Sequence, residues 1–148
     1  MGLLDAISAA ASGLTAQRVR MDTISGNVAN IDTTRTPGGT GPYQRHVVKF
    51  MSGSDALPFS SLMSKFTGQS GSGVVLTEVG IDTTTPDRQV FDPSSSDANT
   101  DGMVAMPNVD LVTEMTDLTS ANRSYQANVT VLNAVKQMAL RALDIGSR

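Results

Sequence analysis

A chain of 148 residues supports one ordinary domain, and its lack of cysteine removes any disulfide framework, thiol nucleophile or thiolate metal site. A net charge of −3 with no basic block argues against nucleic acid or an anionic membrane surface as partner, and no run of about 20 apolar residues exists to span a membrane. Aromatics are only 4% and tryptophan is absent, so any core must be built from small aliphatic side chains.

The first predicted element is a helix over residues 3–31. Leu3, Ile7, Ala10, Leu14, Met21, Ile24, Val28 and Ile31 recur at 4-3 spacing, with Gln17 the only strongly polar member of the stripe. The opening MGLLDAISAAASGLTAQ carries the A-x-A-like run Ala9–Ala11, but it lacks a positive n-region and its apolar residues are periodic rather than continuous. It therefore reads as mature helix and not as a cleaved secretory signal, and Ala6 stands where a myristoylation signal wants Ser or Thr. The pattern fades over Ser25–Asn30, where Gly26 and two asparagines are poor helix formers.

The middle of the chain, 32–107, reads as loops with a small β region. DTTRTPGGTGP (32–42) leaves no regular element intact. Tyr43–Met51 has strand character through Val47, Val48 and Phe50. His46 lies inside it; with no second histidine and no cysteine it reads as an exposed strand residue rather than a ligand or base. Residues 52–73 are rich in Ser and Gly: LPFSSLMSKF (57–66) has no clear period, and GQSGSG (68–73) reads as a flexible connector. Gly73–Asp82 predicts a second strand and Arg88–Phe91 a short third, which together suggest a twisted hairpin or a three-stranded sheet. Such a sheet is too small to stand alone and must lean on the helices or on another chain. DANTDG (97–102) begins like an EF-hand loop, but Asn108 stands at the twelfth position instead of Glu and no helix precedes it, so it reads as an Asp/Asn/Gly turn.

The last element is the longest. From Asn108 to Ile145 there is neither proline nor glycine, Asn108 is the expected N-cap and Gly146 the expected stop. Leu111, Met115, Leu118, Tyr125, Val129, Leu132, Ala139 and Leu143 follow a 4-3 seam interrupted by Asn122 and Lys136. Such a helix would be roughly 55 Å long at 1.5 Å per residue, which demands an equally long partner. The N-terminal helix is the candidate, giving a mainly α fold: two long terminal helices (1–31 and 108–146) paired antiparallel in a coiled-coil-like layer, with a short β-hairpin or small sheet between them.

Both helices are short of charge. Asp5 is the only charged residue among positions 1–17, and 124–135 has none. A helix face turned to water normally carries Lys and Glu. Small uncharged faces suit enclosure by further helices, so Leu3, Ile7, Leu14, Met21, Ile24, Val28, Leu111, Met115, Leu118, Tyr125, Val129, Leu132 and Leu143 form the expected assembly interface. Asn122-Arg-Ser124 and Asn128-Val-Thr130 fit the glycosylation pattern, but a sugar inside a packed helix would block it. Catalysis has little to build on. No Ser–His–Asp arrangement, H-E-x-x-H or phosphate-binding glycine loop is present, and the scattered aspartates single out no carboxylate pair. No enzyme activity, cofactor, metal or small-molecule substrate is expected.

Three stretches carry a family resemblance. SGNVANIDTTRT (25–36) at the end of the first helix is similar to the Asn-rich signature of flagellar rod and hook proteins. GPYQRHVVKF (41–50) with FDPSSSDANTDGMVAMPNVD (91–110), and SANRSYQANVTVLNAVKQMALRALDIG (120–146), extend it through the middle and the terminal helix. In this order they resemble the flagellar basal-body rod proteins, of the proximal-rod type; Ile31–Asp32 departs from the usual pattern, and 51–73 shows no match. The resemblance implies a structural subunit of the rod, the drive shaft that crosses the periplasm and transmits torque for motility. It also implies export through the flagellar type III apparatus without signal cleavage. Its expected partners are copies of itself, other rod proteins and the adaptor joining rod to membrane ring. The same seams would also suit a soluble coiled-coil adaptor or export chaperone, or another axial subunit of the distal rod or hook; the short middle region favours the proximal rod.

Overall fold

The computed structural model describes residues 3–36, 41–53 and 73–146. Helix α1 (Leu3–Ala29) leads through a loop to strand β1 (His46–Ser52), which pairs with β2 (Val74–Ile81); a second pair, β3 (Arg88–Phe91) and β4 (Met103–Met106), precedes helix α2 (Leu111–Gly146). The expectations for Pro37–Gly39, for 57–66 and for most of 68–73 lie outside the described residues.

The two helices pack against each other along their length and run antiparallel. Asn27 meets Glu114, Arg20 meets Asp117, and Gly13 faces Asn128. Their shared core is thin and made of small residues, with Ala10, Ala16 and Ile24 from α1 and Ala121 and Val135 from α2 all buried. Gly13 leaves room for Asn128: a Cβ there would stand 2.8 Å from the Asn128 amide nitrogen.

The helix starts later than the sequence suggested. Asp110, not Asn108, is the N-cap: its Oδ1 accepts the backbone N–H of Val112 at 2.8 Å and of Thr113 at 3.2 Å. Asn108 is occupied elsewhere, as described below. At the other junction α1 closes after Ala29, where the Asn30 side chain donates back to the Gly26 carbonyl; Ile31 sits in the following turn.

The seam on α2 is also displaced. Leu118, Tyr125, Val129, Leu132 and Ala139 are partly covered, as expected, but Leu111, Met115, Asn122, Lys136 and Leu143 are exposed. The helix buries Glu114, Ala121 and Val135, each one position before Met115, Asn122 and Lys136, with Leu118, Tyr125, Asn128, Leu132 and Ala139 half-buried along the same line. Asn122 and Lys136 do not interrupt the seam; they lie beside it. Leu111, Met115 and Leu143 are exposed within the chain.

The β region is two separate two-stranded antiparallel ribbons rather than one hairpin or a three-stranded sheet. β4, for which the sequence predicts no element, is the partner of β3, with Arg88 opposite Met106 and Phe91 opposite Met103. The turn between them is held by Asn99, whose Oδ1 accepts the N–H of Asp101 and Met103, and by Gly102 at φ 72°. DANTDG is therefore a turn, and Asp97 is engaged by Thr34 and Arg35. The β1–β2 ribbon is bulged near Lys49–Phe50, and it leans on α1, where Val74 N–H donates to Ser12 Oγ at 3.0 Å. No described helix is long and apolar enough to cross a membrane.

Candidate assembly surface

Two features define what this fold presents: a polar clamp that ties the ribbons to the helices, and the uncovered faces of the helix pair.

The clamp is built on Asn27, the first asparagine of SGNVAN, which is 1% exposed. Its amide has the donors and acceptor that a neighbouring strand would offer. Oδ1 accepts His46 N–H at 2.9 Å and the Tyr43 hydroxyl at 3.0 Å; Nδ2 donates to the His46 carbonyl at 2.9 Å and to Glu114 at 3.2 Å. A side chain thus takes both backbone groups of the first residue of β1 and joins them to α2. Asn108 does the same at the next junction: its Oδ1 accepts Arg45 N–H and its Nδ2 donates to the Asp82 and Thr85 carbonyls. This explains why Asn108 is not the helix cap.

Glu114, 1% exposed, lies between these amides. Its second oxygen accepts from Arg45 Nε at 2.7 Å, while the Arg45 guanidinium also approaches Asp82 and Asp117 at 3.8 Å. A buried carboxylate is tolerated only with such partners. Burial and, secondarily, the Glu114 charge raise the Tyr43 pKa, which keeps the phenol a donor to Asn27. Asp82 is held well below the usual carboxylate range by the Thr84 hydroxyl and amide and by Thr85. His46 is half-buried, with its Nδ1 out of reach of water and its ring against Tyr43 at 5.1 Å. The expected exposed histidine is drawn inward because Asn27 holds its backbone. No group of three or more His, Asp or Glu residues is arranged to hold a metal ion among the described residues.

The second feature is the outside of the helix pair. The antiparallel register places 6–17 of α1 level with 124–135 of α2, so both uncharged stretches fall at one height. They form a band about 18 Å tall. Its hydroxyls are satisfied within their own helices: Ser8, Ser12, Thr15, Ser124 and Thr130 each donate to a carbonyl three or four residues earlier. A surface whose hydroxyls already have partners loses little when water is removed. Val131 in this band is half exposed, and Met138 follows one heptad later.

The residues expected at the interface divide accordingly. Ile24 is buried between the helices, and Ile7, Leu14, Met21, Val28, Leu118, Tyr125, Val129 and Leu132 are partly covered within the chain. Leu111, Met115 and Leu143 point outward; the side chain of Leu3 lies outside the described set. The clamp was missed because asparagine and glutamate in a helix read as surface. The available signal was that reading the seam through Glu114 gives Ala121 and Val135 in place of Asn122 and Lys136.

Comparison with known proteins fits this build. Residues 7–35 match the family model described as flagella basal body rod protein, and residues 100–145 the one described as flagellar basal body rod FlgEFG protein C-terminal. Both ends of the chain thus carry the sequence of the flagellar rod class. Over 99% of both chains it is 43% identical to the flagellar basal-body rod protein FlgC of Bacillus subtilis, and 40% and 41% identical to those of Salmonella typhimurium and Escherichia coli O6:H1. The chain belongs to the FlgC family of flagellar basal-body rod proteins, and it is a structural subunit of that rod.

Proposed function

We propose that this subunit polymerises into the proximal rod through its terminal helices, with 1–31 and 108–146 forming the inner, tube-building part and 32–107 the outer part. The uncharged band carries the reading. A monomer gains nothing from a helical surface without charges, whereas a tube of side-by-side helices needs one that can be dehydrated from several directions. Torque then passes through many packed side chains, and the clamp fixes the ribbons to the tube. The neighbours are copies of the chain, other rod proteins and the adaptor at the membrane ring. The route is flagellar type III export into the periplasm without cleavage of a signal. None of this calls for catalysis.

The test must separate folding from assembly. Val129 and Leu132 are partly covered inside the helix pair, so Asp at either position disturbs both. Val131, 50% exposed, is the better site. Val131→Asp is expected to retain the helical circular dichroism of the free subunit and to abolish swarming in a strain lacking the native copy. Normal swarming would contradict the proposal.

A further inference from the structure

We infer that the β1–β2 ribbon is a strap over α1, hinged at its base and latched at its tip by Ser12, and that it opens at the tip while the helix pair stays closed.

The ribbon lies along about four turns of α1, its base on Asn27 and its tip on Ser12. Ser12, Ala16, Thr23 and Asn27 fall on one face of that helix. Ala16, 6% exposed, is the covered residue between the two ends.

The ends are held very differently. At the base the buried Asn27 and Asn108 side chains take the backbone groups of His46 and Arg45, and Arg45 reaches the enclosed Glu114. At the tip the bond is Val74 N–H to Ser12 Oγ at 3.0 Å, and it is open to solvent. Between the ends the ribbon stands off the helices over a cavity of about 180 Å³, whose lining includes Arg20, Thr23, Ile24, Val48 and Phe50. The ladder is bulged at the same place, between Lys49 and Phe50. On β2, Val74, Val75, Leu76 and Val79 all remain exposed. A segment with little apolar burial and a hydrogen bond open to water is where local opening costs least.

Closure at the tip is nonetheless built. Gly73 stands against Ser12, where a Cβ would come within 2.6 Å of the hydroxyl oxygen. A side chain there would push the tip away from the helix. Ser12 Oγ donates its own proton to the Ala9 carbonyl at 2.8 Å, which leaves its lone pairs for Val74 N–H. A contact shaped to close yet held by exposed polar groups is a latch. Opened, the ribbon pivots on its clamp and uncovers Ala16, with the helix pair undisturbed. This is a property of the free subunit, whatever that subunit assembles into.

The cysteine-free chain permits a direct test. Ala16→Cys reports the strap, and Ala121→Cys, at a fully buried position between the helices, reports the helix pair. Maleimide labelling of each reporter is compared alone, with Ser12→Ala and with Gly73→Ala, after circular dichroism confirms unchanged helix content. Ser12→Ala removes one hydrogen bond and is expected to speed labelling of Ala16→Cys by about fivefold. Gly73→Ala is expected to speed it at least as much, and Ala121→Cys to label at an unchanged, slow rate in both backgrounds. Equal acceleration at both reporters would overturn the inference, because ribbon and helix pair would then open as one unit. Unchanged labelling of Ala16→Cys in both backgrounds would overturn it too, because Ser12 would then not hold the tip.

Discussion

Arg45 and Glu114 bear most on stability at the residue scale. Glu114 is enclosed, and Arg45 supplies its only cationic partner among the described residues. Arg45→Met is expected to cost about 3–5 kcal/mol in urea unfolding, because it strands a buried charge. Adding Glu114→Gln should recover part of that loss; no recovery would mean that Arg45 acts through packing alone. The pH dependence follows from Asp82 and Asp92, whose carboxyls are stabilised as anions by Thr84 and Thr85, and by Ser94. Their folded pKa values lie below the unfolded ones, so the unfolded chain binds protons first. The stabilisation is complete above the ordinary carboxylate pKa and is lost as pH falls below it toward the folded values. Asp82→Asn should therefore flatten the decline of stability between about pH 4 and 2. An unchanged acid limb would exclude Asp82 from the acid response.

The helix pair owes its closeness to Gly13 and the alanines at element scale. Gly13→Leu places a side chain where the Asn128 amide now stands, and is expected to destabilise by about 1–3 kcal/mol despite leucine's better helix propensity. Asn128→Ala in the same chain should restore part of it, and thermal melts of the four variants measure the coupling. Both long helices were legible from 4-3 spacing, because an amphipathic helix writes its period directly into the chain. Their phase was less so: Leu111, Met115 and Leu143 are as apolar as any core residue, and only tertiary contact shows them uncovered. The Asp110 cap was hidden by Asn108, an equally good cap residue claimed by the loops at 45 and 82–85. β4 was hidden because MVAM (103–106) is only four residues long and follows directly on the Asp/Asn/Gly turn at 97–102.

The account at the scale of the molecule is that this chain carries two kinds of surface. One is polar, buried and closed on itself around Asn27, Asn108 and Glu114. The other is uncharged, with the hydroxyls of Ser8, Ser12, Thr15, Ser124 and Thr130 already bonded within their own helices, and it is the one we propose is offered to the rest of the rod. The absence of cysteine makes the claim directly measurable, since a single introduced thiol has no competitor in the chain. Val131→Cys should react readily with a maleimide in the free subunit and be strongly protected in isolated basal bodies. Labelling at the same rate in both would show that neighbouring subunits do not cover this band, and would contradict the account.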